Sequence, residues 1–185
     1  MNPSIAYALG ALLLYGLADF VYKRGAAAGA PPHQFLMVQT WFFNAFALVY
    51  GILSGTLAFN VGALWGAAAG VLVVIGYYNF AWSLRHGAVS TNAAIFRLSF
   101  AVTTVLAVLV LGEALNVPKT IGLALAFFAV WLLLAPPAAG PGAADPERNA
   151  SLARVLVATV AVGFASFTYK LGLLRGAAPI ALVVT

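Results

Sequence analysis

The sequence has no cysteine, so disulfides, a thiolate nucleophile and cysteine-ligated metals are excluded, and the redox state of its compartment leaves no mark on it. Charge is nearly as scarce. Four acidic and nine basic side chains supply 7% of the residues against 64% hydrophobic ones, too few to coat a soluble globule of 19.2 kDa. Histidine occurs twice, in connectors between apolar runs, and there is no HExxH, GxSxG or P-loop. These shortages argue against an enzyme, and no cofactor or metal is expected. The opening Met1-Asn2-Pro3-Ser4 has no basic flank, which argues against a cleaved signal peptide.

What the chain has in abundance is hydrocarbon. A mean hydropathy of +1.02 describes an integral membrane protein. The net charge of +5 does not point to nucleic acid, because the nine Lys and Arg residues stand singly or in pairs between apolar runs, as membrane-flanking charges do. Spans are expected over about Ile5–Tyr22, Phe35–Leu53, Leu57–Leu84, Ser90–Leu111, Pro118–Ala135 and Leu152–Leu174. The expected fold class is an all-α polytopic bundle. Residues 136–151 hold four prolines and half of the acidic residues and read as a solvated hinge. Thr185 falls nine residues into a further apolar run, and the sequence is expected to be a fragment of a longer chain.

Self-similarity orders these spans. Gly16–Pro32 aligned with Gly163–Pro179, an offset of 147, gives nine identities in seventeen positions, including Tyr22-Lys23 with Tyr169-Lys170 and Pro32 with Pro179. Five spans precede the restart, and an odd number puts the second copy in the opposite membrane sense, an inverted repeat. The expected organisation is a first five-helix repeat over 1–135, a linker over 136–151 and the start of a second repeat over 152–185. Lys23, Arg24, Arg85, Arg148 and Arg154 then share the face away from the N-terminus, against Lys119, Lys170 and Arg175 on the other. That bias mildly favours an N-terminus outside the cytoplasm.

Few side chains at depth can do chemistry. Arg97 lies seven residues into the fourth run, about 10 Å along the helix, where an unpaired guanidinium would cost several kcal/mol. It reads as a counter-charge for an anionic substrate in a central cavity, with Thr104 on the same face, or as an ion-pair partner of Asp19, or as a snorkelling side chain. Asp19 reads as an i to i+4 ion pair with Lys23 or as a protonatable coupling carboxylate, although the repeat puts Ser166 at its equivalent position. Gln39 and Asn44 in the second span, with Tyr77, Tyr78, Asn79 and Trp82 in the third, suit a pocket for an organic solute, though Trp82, three residues from Arg85, fits an interfacial belt better. Arg97 is expected to face the space between the first, third and fourth spans, near Tyr78 or Asn79. Gly62, Gly66 and Gly70 repeat the GxxxG spacing and are expected to pack against another helix.

The segment from Tyr15 to Gly29, with Lys23 closing the first helix, and the Leu111-Gly112-Glu113-Ala114-Leu115 run followed by Gly122 resemble the EamA-type permeases of the drug/metabolite transporter superfamily. The resemblance covers essentially the whole chain and implies two five-helix halves around a central cavity. It implies transport of small organic or drug-like solutes, often outward, by alternating access. Arg97 stands where relatives often place a proline. The implied setting is the plasma membrane of a bacterium or archaeon, such as a cell inner membrane, with a small organic solute and the bilayer as partners and a homodimer left open. The alternatives are a membrane scaffold or assembly subunit, which needs no cavity, and a lipid-linked sugar translocator, which needs an opening toward lipid.

Overall fold

The computed structural model describes residues 3–134 and 146–185, with side chains over 5–132 and 146–185. Ala135 and linker residues 136–145 lie outside the described part. The described residues form eight α-helices, a single 3-10 turn and no strand. These are α1 (Pro3–Ala27), α2 (Pro32–Leu53), a 3-10 turn (Val61–Ala63), α3 (Leu64–His86), α4 (Val89–Arg97), α5 (Ser99–Leu111), α6 (Val117–Leu134), α7 (Pro146–Leu174) and α8 (Pro179–Val184). The protein is an all-α membrane bundle. Five helical stretches are long and apolar enough to cross a bilayer: Ile5–Ala27, Pro32–Leu53, Val61–His86, Val89–Leu111 and Pro146–Leu174, with Val117–Leu132 a shorter apolar helix. Their outward faces carry exposed Leu12, Phe42, Phe46 and Leu109, a surface that only lipid covers without cost.

Local chemistry sets most helix ends. Pro32 and Pro179 occupy first turns, where a missing N–H is harmless, and Gly112 ends α5 in the left-handed region at φ 65°. Two boundaries differ from the sequence reading. Pro146–Ser151, assigned there to the hinge, is the first part of α7, started by a proline with Glu147 in the first turn. The fourth span is also broken at Leu98, where Leu98 N–H bonds to the Ile95 carbonyl (2.9 Å) and Ala101 N–H to the Leu98 carbonyl (2.8 Å). These i to i−3 bonds kink the span without a proline. The Thr159 hydroxyl of α7 also donates to the Ile95 carbonyl (3.1 Å), so the break is satisfied by a neighbouring helix rather than by lipid.

α7 lies along α3 in the antiparallel sense, with Ser151 beside Ser83, Arg154 beside Asn79, Val162 against Gly76 and Gly172 against Gly62. It runs parallel to the α4–α5 span, with Thr159 at Ile95 and Gly163 at Ser99. α1 is antiparallel to that same span, because Lys23 meets Gly87 whereas Asp19 meets Arg97. The segments Gly16–Pro32 and Gly163–Pro179 therefore run in opposite senses. The core where these helices meet stacks Phe80 on Phe96 (4.0 Å between centroids), surrounded by Tyr22, Leu84, Ile95, Val155 and Ala158.

Both segments also end in the same turn. Gly29 and Gly176 have φ of 83° and 80°, Ala30 N–H bonds to the Gly25 carbonyl and Ala177 N–H to the Gly172 carbonyl at 3.1 Å each, and a proline then opens the next helix. The GxxxG stripe is used in part. A side chain at Gly62 or Gly66 would meet Ala177 or the Leu182 carbonyl and Thr185, whereas Gly70 faces open space, correcting the expectation that all three pack.

Candidate functional site

Tyr15, Asp19 and Tyr22 are four and three residues apart on α1 and so share a face, and α4 brings Arg97 against them. Arg97 Nη2 donates to Asp19 Oδ2 at 2.6 Å, and its guanidinium carbon sits 4.6 Å from the centre of the Tyr15 ring and 5.6 Å from that of Phe96. Asp19 lies eight residues before the end of α1 and Arg97 eight after the start of α4, so both stand about 12 Å along their helices from the same face. At that depth each charge offsets the burial cost of the other, and the aromatic faces add cation–π attraction. The Asp19 side chain is 13% exposed and that of Arg97 37%, so the pair is open on the arginine side.

Aromatic side chains complete the cluster. Tyr77 of α3 meets Phe96 edge-on at 5.3 Å and lies within electrostatic range of Tyr15, Asp19, Arg97 and Tyr169. Tyr22 stacks on Phe35 at 5.2 Å, and its hydroxyl donates to Gln39 Oε1 on α2. Gln39 therefore belongs to the margin of this site. Asn79 does not, because its amide donates to the Ile75 carbonyl (2.8 Å) and accepts from Arg154 Nη1 of α7 (2.9 Å). Tyr78, the other neighbour expected beside Arg97, is 38% exposed. Asn44 is half-buried on α2, and the Thr104 hydroxyl donates to the Phe100 carbonyl of its own helix (2.8 Å). The same-face argument for Thr104 assumed an unbroken helix, which the kink at Leu98 removes.

The local pairing of Asp19 with Lys23 does not form. Lys23 Nζ instead donates to the Leu84 (2.8 Å) and Gly87 (3.0 Å) carbonyls, closing the end of α3. Asn92 Nδ2 and Ser151 Oγ both donate to the Ser83 carbonyl (2.8 and 2.9 Å), and Asn92 also donates to Ser151 (2.8 Å). The α3 terminus is thus capped from α1, α4 and α7 together. On the opposite face Lys170 donates to Glu113, beyond the end of α5, and this bond holds the Glu113 carboxyl below its ordinary range, with the Lys170 and Lys119 charges adding to the effect.

Composition and spacing left Tyr15 and Tyr22 out of the site, although the 15-19-22 spacing around the acid was an available signal. Tyr77 stands among the third-span pocket candidates by residue type alone, since nothing in the apolar sequence of α3 fixes which of its faces meets α4.

An ion pair open on one side, with the Tyr15 and Phe96 rings against its guanidinium, can exchange partners with a polar or charged solute. Among the described residues no three His, Asp or Glu side chains cluster as metal ligands would. The model of the EamA-like transporter family matches residues 2–135 of the chain. No curated protein and no solved structure matches it.

Proposed function

The chain belongs to the EamA-like transporter family, and from that premise we propose that it carries a small organic solute across a bacterial or archaeal plasma membrane, outward, by alternating access. The observation that supports this most is the Asp19–Arg97 pair, held at membrane depth where α1 and α4 meet, with the Tyr15 ring against the guanidinium. Ionisable groups at such depth are costly, and a solute that replaces one partner of the pair recovers that cost only while it is bound. Arg97 is the residue proposed to hold an anionic or carbonyl group of the solute, Asp19 to return to Arg97 when the solute leaves, and Gln39 to position Tyr22. In the proposed organisation, residues up to 135 form one five-helix repeat and α7 with α8 open a second. The matching turns at Gly29 and Gly176 and the opposite senses of α1 and α7 support that division.

The test is solute profiling of cells expressing the full-length protein as wild type, Arg97→Lys and Asp19→Asn, with membrane insertion and thermal stability measured on each. Wild type should deplete at least one solute from the cell, and Arg97→Lys should reduce that flux tenfold or more while inserting normally, because an ammonium does not reproduce a guanidinium fork. Variants that lose stability with no change in any solute would favour a scaffold and overturn the transport reading.

A further inference from the structure

Three apolar spans put basic side chains at one face of the bundle: Lys23 near the end of α1, Arg85 and His86 in the last turn of α3, and Arg148 in the first turn of α7. The capped α3 terminus draws these ends together around a cleft of about 530 Å³, also lined by Thr91 and Glu147. Its floor is the buried Asn92–Ser151 bond, so the cleft has a fixed base rather than a fluctuating one. Lys23, Arg85 and Arg148 carry three positive charges and Glu147 one negative, a formal surplus of two with histidine neutral. Among the described residues neither Arg85 nor Arg148 has an ion-pair partner, and both are exposed at the rim.

We propose that this cleft binds a phosphomonoester dianion. Two charges on the ligand match the surplus of two, whereas a single carboxylate would leave one cation uncompensated. The guanidiniums offer paired donors that fit phosphate oxygens, the Thr91 hydroxyl adds another, and the first-turn amides of α7 contribute the positive end of its dipole. The cleft sits where three spans end, at the level of lipid headgroups, so a headgroup phosphate reaches it without leaving the bilayer. A bound phosphate would tie α1, the α3–α4 corner and α7 to one another. The inference does not rest on the transport reading.

The test uses the full chain in neutral detergent, with thermal unfolding followed in dioctanoyl phosphatidic acid, dioctanoyl phosphatidylcholine or inorganic phosphate. Phosphatidic acid should raise the Tm by a few degrees and phosphatidylcholine should not, and R85Q/R148Q should abolish the rise. An equal rise with inorganic phosphate at the same concentration would assign the site to a free phosphate, whereas a rise with the lipid alone would assign it to the headgroup. If R85Q/R148Q unfolds at a lower temperature without ligand, R85K/R148K decides: it keeps the charge and should retain at least half of the rise. No rise with either phosphate, or an undiminished rise in R85Q/R148Q, or its loss in R85K/R148K, would overturn the proposal.

Discussion

Two corners of this molecule share a sequence and a backbone but not their partners. Ala27 to Pro32 and Leu174 to Pro179 both leave a helix through a left-handed glycine and enter the next at a proline, and both have a packed glycine ahead of the turn. That glycine meets Phe35 in the first corner and Leu182 in the second, positions again 147 apart. The paired lysines diverge. Lys23 donates to two main-chain carbonyls at the end of α3, whereas Lys170 donates to the carboxylate of Glu113. The turn is a local matter of glycine, proline and main-chain bonds, so a repeated sequence repeats it. A lysine ammonium on a flexible stem takes whichever acceptor the assembled helices present, and two different neighbourhoods present different ones.

The largest expected contrast lies in packing. Gly172→Ala would set a methyl 3.1 Å from Trp65 Cβ and 3.2 Å from the Gly62 carbonyl, atoms that move only with the 3-10 turn and the start of α3, besides the Leu182 methyl at 2.5 Å. It should cost about 1–3 kcal/mol. Gly25→Ala meets only the outer ring atoms of Phe35, which can swing, and should cost less than about 1 kcal/mol. Thermal unfolding of both variants in one detergent reads the order, and a reversed order would mean that the first corner is the more rigid.

The lysines give a smaller contrast. Lys23→Met strands carbonyls at a half-buried helix end and should cost about 1–2 kcal/mol. Lys170→Met breaks a pair whose side chains are 33% and 38% exposed and should cost less than Lys23→Met. Equal losses would show that the two corners are energetically alike despite their different acceptors.

The smallest effect is the pH dependence of Glu113. Its carboxyl is held below the ordinary value by Lys170, so the pair contributes above the unfolded-state pKa and the contribution fades as pH falls through the lower, folded one. Glu113→Gln should therefore lower the Tm slightly and constantly between pH 7 and pH 6, with the gap to wild type closing only in acid below about pH 4.5. A gap that closes between pH 7 and pH 6 would show that Glu113 is not the charged partner.

Much of this was legible before any fold was known. Long apolar runs can only be helices in lipid, so the spans and their approximate ends follow from the hydrogen-bonding demands of the backbone. The repeat carries the turn chemistry with it. The kink at Leu98 was not legible, because no proline marks it and the Thr159 hydroxyl that reaches its Ile95 carbonyl stands more than sixty residues away, shared with the Val155 carbonyl of its own helix. Nor was the hidden start of α7, since a proline in a Gly/Ala-rich stretch reads equally as a linker.

The site divides in the same way. That Asp19 and Arg97 lie at depth and that each needs a partner follows from residue type and position alone, because the cost of a bare charge in hydrocarbon does not depend on the fold. The assembled helices settle that they partner each other, that Lys23 turns to the α3 carbonyls, and that the Tyr15 ring lies against the guanidinium. Adjacent residues on a helix point about 100° apart, and the rotation of an apolar helix about its axis is set by the helices packed against it, not by its own composition.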